Sequence, residues 1–296
     1  MGSASYSTQN RTIRASNSGY FTASVNDIFE QNKLRRIHES MEPSKALLRE
    51  SRDSESHPNS VPIIIALDVT GSMGKIPHQL IKDGLPTLMS SIIQNGIPDP
   101  QVLFLAIGDA TCDHYPLQVG QFESGDEELD MWLTRTYLEG GGGGNDGESY
   151  SLAWYYAANH TATDAWEKRK QKGFVFTIGD EPIHSNFNKT MLKEIMNESY
   201  QGNTKNEDLL KAAQEKYNVY HIHVAETSAG QRSHGFWKDL MGQNCISVDN
   251  HENIAKVIAN IVVENTHISN VGNEVASTVD DYNVPSTEDK NDMMLL

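Results

Sequence analysis

Three apolar runs in this 296-residue chain each end at a carboxylate. Val61-Pro62-Ile63-Ile64-Ile65-Ala66-Leu67 leads into Asp68, and Val102-Leu103-Phe104-Leu105-Ala106-Ile107 leads into Gly108-Asp109. Phe174-Val175-Phe176-Thr177-Ile178 leads into Gly179-Asp180. Near-continuous apolar runs of this length are the pattern of strands covered on both faces. If the strands are parallel, the three acids share one edge of the sheet. Lys75 is the lone cation in the neighbouring loop residues. Acids held together in this way repel each other unless a cation joins them or a pKa rises. A single Asp after a strand is usually a helix cap, but three at one sheet edge call for more than capping.

The first of these loops reads Asp68-Val69-Thr70-Gly71-Ser72-Met73-Gly74. Asp68, Thr70 and Ser72 alternate, so a tight turn can aim one carboxylate and two hydroxyls at a single point. Gly71 and Gly74 allow the backbone angles of such a turn. All the donors are hard oxygens, which suits Mg²⁺ or Mn²⁺, admits Ca²⁺ and disfavours zinc or copper. A second acid-bearing loop, five glycines at 140–144 followed by Asn145-Asp146-Gly147-Glu148-Ser149, could bring further oxygens. Its successive amides could also cradle an anion, but Asp146 and Glu148 would oppose one.

Stepping along the chain, apolar strand runs alternate with helical periodicity. Helices are expected over 76–93 (kinked at Pro86), 129–138, 149–159, 188–197, 206–217, 236–241 and 253–263. Further strands are expected over 117–122, 219–224 and 245–248. Short connections between alternating elements predict an α/β fold, doubly wound, with a mostly parallel central sheet flanked by helices on both faces. In such sheets ligands bind beyond the carboxyl ends of the strands, where the three acids would lie. Residues 1–60 show one short amphipathic turn (Phe21, Val25, Ile28, Phe29) and predict an N-terminal arm, extended or partly disordered. Residues 61–264 form the predicted domain, and 265–296 an acidic C-terminal tail, disordered, ending in Met293-Met294-Leu295-Leu296.

The chain has 24 Lys+Arg against 40 Asp+Glu, a formal charge of −16. About −12 falls in 61–264 and −5 in the tail, which argues against a nucleic-acid-binding surface. No stretch approaches the roughly 20 apolar residues of a membrane span. Residues 1–6 lack a basic n-region and an apolar h-region, so the expected location is cytoplasmic. Cys112 and Cys245 are far apart in sequence and read as ordinary thiols in a reducing compartment.

The run D-x-T-G-S-M at 68–73 resembles the D-x-[ST]-x-S signature of the von Willebrand factor A domain family. In that family the signature opens the metal-ion-dependent adhesion site. Thr177-Ile178-Gly179-Asp180-Glu181 resembles the family's third ligand loop. The second loop lacks the usual Thr and is similar to the Gly-rich, acid-bearing loop of bacterial and phage relatives. The resemblance spans about 60–264 and implies that Asp68, Thr70, Ser72 and Asp180 hold a divalent cation, Mg²⁺ foremost. It implies help from Asn145 or Asp146, or from Glu148 directly or through water, with Asp109, Glu148 and Glu181 close by. Few direct carboxylates would leave the ion electrophilic, so an Asp or Glu of a partner protein could displace a water and bind it. The site would then be a docking point and not a reaction centre. Intracellular relatives serve as assembly adaptors for ATPases, chelatases or kinases. The resemblance does not specify an oligomeric state.

Two other functions compete. Asp68-Val69-Thr70-Gly71-Ser72 also resembles the D-K-T-G-T of haloacid-dehalogenase-like phosphotransferases, which would make Asp68 a nucleophile. Val69 replaces the Lys of that motif, and no Lys before Gly179-Asp180 clearly takes the place of the late Lys. The other alternative is a scaffold protein whose ion only stabilises the fold. A P-loop is excluded by Val69 and Ile76, which stand where Gly and Ser/Thr are needed. Thr70-Gly71-Ser72-Met73-Gly74 has the loose form of a hydrolase elbow, but Asp68 before it fits the metal reading better. His221 and His223 alternate on a strand with no Cys pair, so they read as partly buried residues with satisfied hydrogen bonds and not as a zinc site.

Overall fold

A computed structural model describes residues 5–18, 20, 22–140, 147–185 and 187–266. Asn145, Asp146 and most of the acidic tail, including Met293-Leu296, lie outside the described residues.

The three apolar runs become strands β2 (Val61–Asp68), β3 (Pro100–Ile107) and β6 (Gly173–Gly179), in a six-stranded sheet. The sheet also contains β4 (Leu117–Val119), β7 (Tyr217–Val224) and β8 (Cys245–Val248), in the order β4-β3-β2-β6-β7-β8. All neighbours are parallel except β3 and β4. β2 lies between β3 and β6, pairing Asp68 with Ile107 and Leu67 with both Ala106 and Ile178. The carboxyl ends of the three strands are therefore side by side. A strand order that doubles back at β2 leaves a crevice there, which is where such folds bind ligands.

Alternation along β2 explains its unbroken apolar run. Ile63, Ile65 and Leu67 face one core with Leu88, Ile92 and Ile258, while Ile64 and Ala66 face a second core with Leu103, Trp154 and Leu209. All five β2 side chains are fully buried, and residues covered on both faces need be apolar at every position. Helix Leu85–Gln94 and the helical segment 254–266 cover the first face; helices Ser151–Asn159 and Asn206–Lys216 cover the second. The doubly wound α/β architecture is as expected.

Several local expectations change. The interruption near Pro86 takes the form of a π-helical turn, Leu80–Gly84, and Pro86 then sits in the first turn of Leu85–Gln94, where a missing N–H costs least. The helix expected over 129–138 is Asp126–Thr134, because three acids in its first turn suit the helix N-terminus. The helix expected at 236–241 runs from Ser228 to Met241. Gly230 and Gly235 weaken its sequence signal, and the Thr227 hydroxyl caps it by accepting from the Gly230 N–H at 2.9 Å.

The arm carries helices Thr8–Asn17, Val25–Ile28 and Glu30–Leu34 and strand β1 (Arg49–Ser51), which pairs in parallel with β5 (Thr161–Thr163). Its helix Thr8–Asn17 is attached by charge. Arg14 reaches Asp126 and Asp130, both at 2.7 Å, and Arg11 reaches Asp130 at 2.9 Å. Phe29 and Met41, both fully buried, enter the first core. Ion pairs leave little trace in apolar periodicity, so this packing is hard to read from the sequence. No helix of the described residues is long and apolar enough to cross a membrane.

Candidate metal centre

Asp68 is the last residue of β2, and the chain then turns through a 3₁₀ segment, Gly71–Met73. Gly74 closes the turn at φ +55°, in the left-handed region that glycine enters without strain. The Asp68 carboxylate is fully buried. Its Oδ1 accepts from the Thr70 backbone N–H at 2.9 Å and from the Thr70 hydroxyl at 2.7 Å. Its Oδ2 accepts from the Tyr150 hydroxyl at 2.6 Å. Thr70 Oγ1 and Ser72 Oγ are 3.3 Å apart, and the Ser72 hydroxyl donates to Asp180 Oδ1 at 2.8 Å. The other oxygen of Asp180 accepts from the Thr227 hydroxyl at 2.6 Å, and its carbonyl accepts from the Ser233 hydroxyl. Asp180 is fully buried and Thr70 nearly so, whereas Ser72 is exposed and marks the open side.

The fold therefore brings Asp68, Thr70, Ser72 and Asp180 into one hydrogen-bonded chain. The Gly-rich loop is tied to it at both ends. The Gly140 N–H donates to the Val69 carbonyl at 3.2 Å. At the far end the Glu148 N–H donates to the Pro182 carbonyl, and the His184 N–H to the Glu148 carbonyl. The arm also supports this loop, since Asn32 Oδ1 accepts from the Leu138 N–H at 2.9 Å.

The Glu148 side chain is buried, and among the described residues its Oε2 has no hydrogen-bond partner. Burial and the nearby charges of Asp68 and Asp109 push its pKa well up. Asp68 is raised too, by burial first and then by Asp180, against the hydrogen bonds from Thr70 and Tyr150. Tyr150 is raised by burial and by Asp68, so it stays protonated and can donate. No Lys or Arg ion pair reaches Asp68, Asp180 or Glu148 among the described residues. Buried carboxylates with no cation are costly, and an orphaned carboxylate oxygen beside them is what a hard-cation site provides. Among the described residues no three His, Cys, Asp or Glu side chains form a metal-holding group. A cation here would thus need the hydroxyls of Thr70 and Ser72 along with the carboxylates, and such an all-oxygen donor set fits Mg²⁺, Mn²⁺ or Ca²⁺.

Asp109 lies on the same edge but is engaged by its own loop. It accepts from the Thr111 N–H and hydroxyl, from Cys112 Sγ, and pairs with His184 Nε2 at 2.7 Å. Burial and the Asp109 carboxylate push the Cys112 thiol up to about 12, which suppresses thiolate chemistry. Glu181 contributes its carbonyl, which accepts from Trp237 Nε1 at 2.9 Å. His221 and His223 differ from expectation. Both are fully buried, and among the described residues each leaves one ring nitrogen, His221 Nε2 and His223 Nδ1, without a partner. Burial holds both pKa values down, and His221 stacks on Trp237 with ring centroids 3.5 Å apart. Two neutral rings in the aromatic core tolerate an unbonded nitrogen better than charged ones would.

Sequence reasoning missed Tyr150 and Thr227, which hold the two carboxylates. Thr227 had a weak signal, as a Thr three residues ahead of Gly230 after a buried strand. Tyr150 had none, because 82 residues separate it from Asp68.

No protein-family model and no curated protein matches this sequence. Solved structures similar to it include the pilus adhesin SpaC from Lactobacillus rhamnosus GG, with TM-score 0.48 and 9% identity over 73% of this chain and 32% of the adhesin. Another is proximal thread matrix protein 1 from the mussel byssus, with TM-score 0.46 and 12% identity over 69% of this chain and 47% of that one. A third is the SpRpn10 VWA domain, with TM-score 0.39 and 14% identity over 64% of this chain and 87% of the domain. The chain spans about a third of the adhesin and about half of the byssus protein. All three scores are below 0.5.

Proposed function

We propose that this chain is a metal-dependent protein-binding module whose site is built from Asp68, Thr70, Ser72 and Asp180, with Glu148 beside them and Asn145 or Asp146 as further oxygen donors. The observation that carries the reading is the contact between Ser72 and Asp180, which closes two ligand-type loops at the carboxyl edge of a parallel sheet. The resemblance of 68–73 and 177–181 to the von Willebrand factor A domain supports it. A divalent ion held there, Mg²⁺ foremost and Mn²⁺ or Ca²⁺ next, would supply an electrophilic centre for a partner's Asp or Glu carboxylate.

The residues divide the work. Asp68 and Asp180 supply the charge from the buried side. Thr70 and Ser72 supply neutral oxygens, which keep the net charge of the donor set low. Ser72 lies at the solvent-facing rim, so an incoming carboxylate approaches from that side. A cleft of about 860 Å³ opens beside the loop 110–117, walled on the arm side by Leu34, Arg36 and Ile37, and has room for a flanking segment of the partner. Such a partner is expected to meet the chain in the cytoplasm.

The phosphotransferase alternative, with Asp68 as nucleophile, has less support. Val69 stands where that motif carries its Lys, so a phosphoryl group on Asp68 would lack the cation that neutralises it. An affinity pulldown from the native source in Mg²⁺, repeated in EDTA and with Asp68→Ala, tests the docking reading. Loss of the captured protein in both arms is expected. Capture that is identical in all three conditions overturns the reading. Saturable metal binding with no metal-dependent capture favours a scaffold in which the ion only stabilises the fold.

A further inference from the structure

Tyr150 does not belong to any of the motif loops, yet its hydroxyl makes the short contact to Asp68 Oδ2 at 2.6 Å. Its surroundings confine it. The side chain is fully buried, and the ring stands edge-on to Trp237 and to His221, with centroids 5.3 and 5.5 Å away. Opposite the hydroxyl lies Gly179, where an added Cβ would fall 1.9 Å from the tyrosine oxygen. The residue that precedes Asp180 is thus one whose lack of a side chain admits the Tyr150 hydroxyl. On the other side of the carboxylate, Thr70 holds Oδ1 with its N–H and its hydroxyl. Asp68 is gripped from both sides by groups whose own positions are fixed by packing.

We infer that Tyr150 is a positioning residue of the proposed cation site: its hydroxyl holds Oδ2 of Asp68 and sets the rotamer in which Asp68 meets a cation. The inference rests on the metal-site reading above and adds to it a residue outside the ligand loops. A carboxylate ordered beforehand spares the incoming ion the entropy of ordering it. Outer hydrogen-bond partners of ligating carboxylates typically contribute 10- to 100-fold to metal affinity.

The test uses the full chain and Mn²⁺ alone as probe, titrated by electron paramagnetic resonance. Tyr150→Phe removes only the hydroxyl. The control is Tyr156→Phe, in the helix Ser151–Asn159 that directly follows Tyr150, which removes a buried hydroxyl bonded at 2.6 Å to the Ala46 carbonyl, away from Asp68. Tyr150→Phe is expected to weaken Mn²⁺ binding about 10-fold or more, with Tyr156→Phe close to wild type. A second readout needs no metal. In EDTA, the effects of Tyr150→Phe and Asp68→Asn on the urea midpoint are expected to be non-additive, as for two groups in direct contact. Unchanged or tighter Mn²⁺ binding by Tyr150→Phe overturns the inference and leaves the metal site standing. Equal weakening in both tyrosine variants, or additivity in EDTA, overturns it too. Wild-type protein that shows no saturable Mn²⁺ binding sensitive to Asp68→Ala overturns the metal site itself and the inference with it.

Discussion

The Ser72 hydroxyl donates to Asp180 Oδ1 at 2.8 Å, and this bond joins two loops whose residues are 108 positions apart in the chain. The bond exists because β2 and β6 are parallel neighbours, so that Leu67 faces Ile178 and the residues beyond both strands emerge together. It also creates a tension. Asp68 and Asp180 are both fully buried, and the charge of Asp180 disfavours the charge of Asp68.

Asp180→Asn keeps the shape and removes one of these charges. In EDTA the variant is expected to be at least as stable as wild type, because the repulsion is relieved. In Mg²⁺ the order reverses. A ligand at 100 times its Kd stabilises the wild type by about 2.7 kcal/mol, and the variant gains little. Thermal unfolding with and without Mg²⁺ checks this, and an equal Mg²⁺ shift in both proteins would contradict it.

Thr227 has two roles, as donor to Asp180 Oδ2 and as cap of helix Ser228–Met241. Thr227→Ala is expected to cost about 1–2 kcal/mol, the usual range for losing a cap, and Thr227→Ser to restore most of it. Urea unfolding measures both. A serine variant as weak as the alanine variant would show that the Thr methyl, and not the hydroxyl, matters.

The arm is expected to be docked through charge. Arg11 is about 9% exposed and bonds the Lys82 carbonyl as well as Asp130, whereas Arg14 is about a third exposed. Arg11→Ala is expected to cost about 2 kcal/mol, because it leaves the Lys82 carbonyl and Asp130 short of a donor, and Arg14→Ala about 1 kcal/mol or less, in the range of exposed pairs. Hydrogen exchange over residues 8–17 should accelerate in both variants, and high salt should mimic the weaker one. Exchange that is indifferent to salt and to both substitutions would refute the electrostatic account.

Asp164 makes stability pH-dependent. Burial raises its pKa, but hydrogen bonds from Lys168, the Asp53 N–H and Arg52 outweigh this and lower it from 3.8 to about 2. The folded value is below the unfolded one, so the contribution is complete above about pH 4 and is lost as pH falls towards 2. Its size is about 1–2 kcal/mol once screening of the exposed Lys168 is allowed for. Asp164→Asn should therefore lower the urea midpoint at pH 7 and converge on wild type as pH falls through that window. A gap that stays constant down to pH 2.5 would count against the assignment.

The strands β2, β3 and β6 were legible because burial on both faces demands apolar residues at every position, and such runs stand out in a chain that is 38% apolar. The alternation of Asp68, Thr70 and Ser72 was legible for a related reason: a turn local in sequence is also local in space, so spacing reports geometry directly. The short turn Val25–Ile28 left an apolar trace, but helix Thr8–Asn17 was not legible, since Arg11 and Arg14 hold it through acids more than 110 residues away and leave no apolar period. The same limit hid Tyr150 and Thr227. Their hydroxyls meet Asp68 and Asp180 only after the sheet has set strand order and the Trp237 and His221 rings have fixed the tyrosine. The sequence by itself determined which strands are buried and which oxygens follow them. Which oxygens face one another was decided by the tertiary structure alone, because parallel pairing brings distant strand ends to one edge and packing then selects the hydroxyls that reach them.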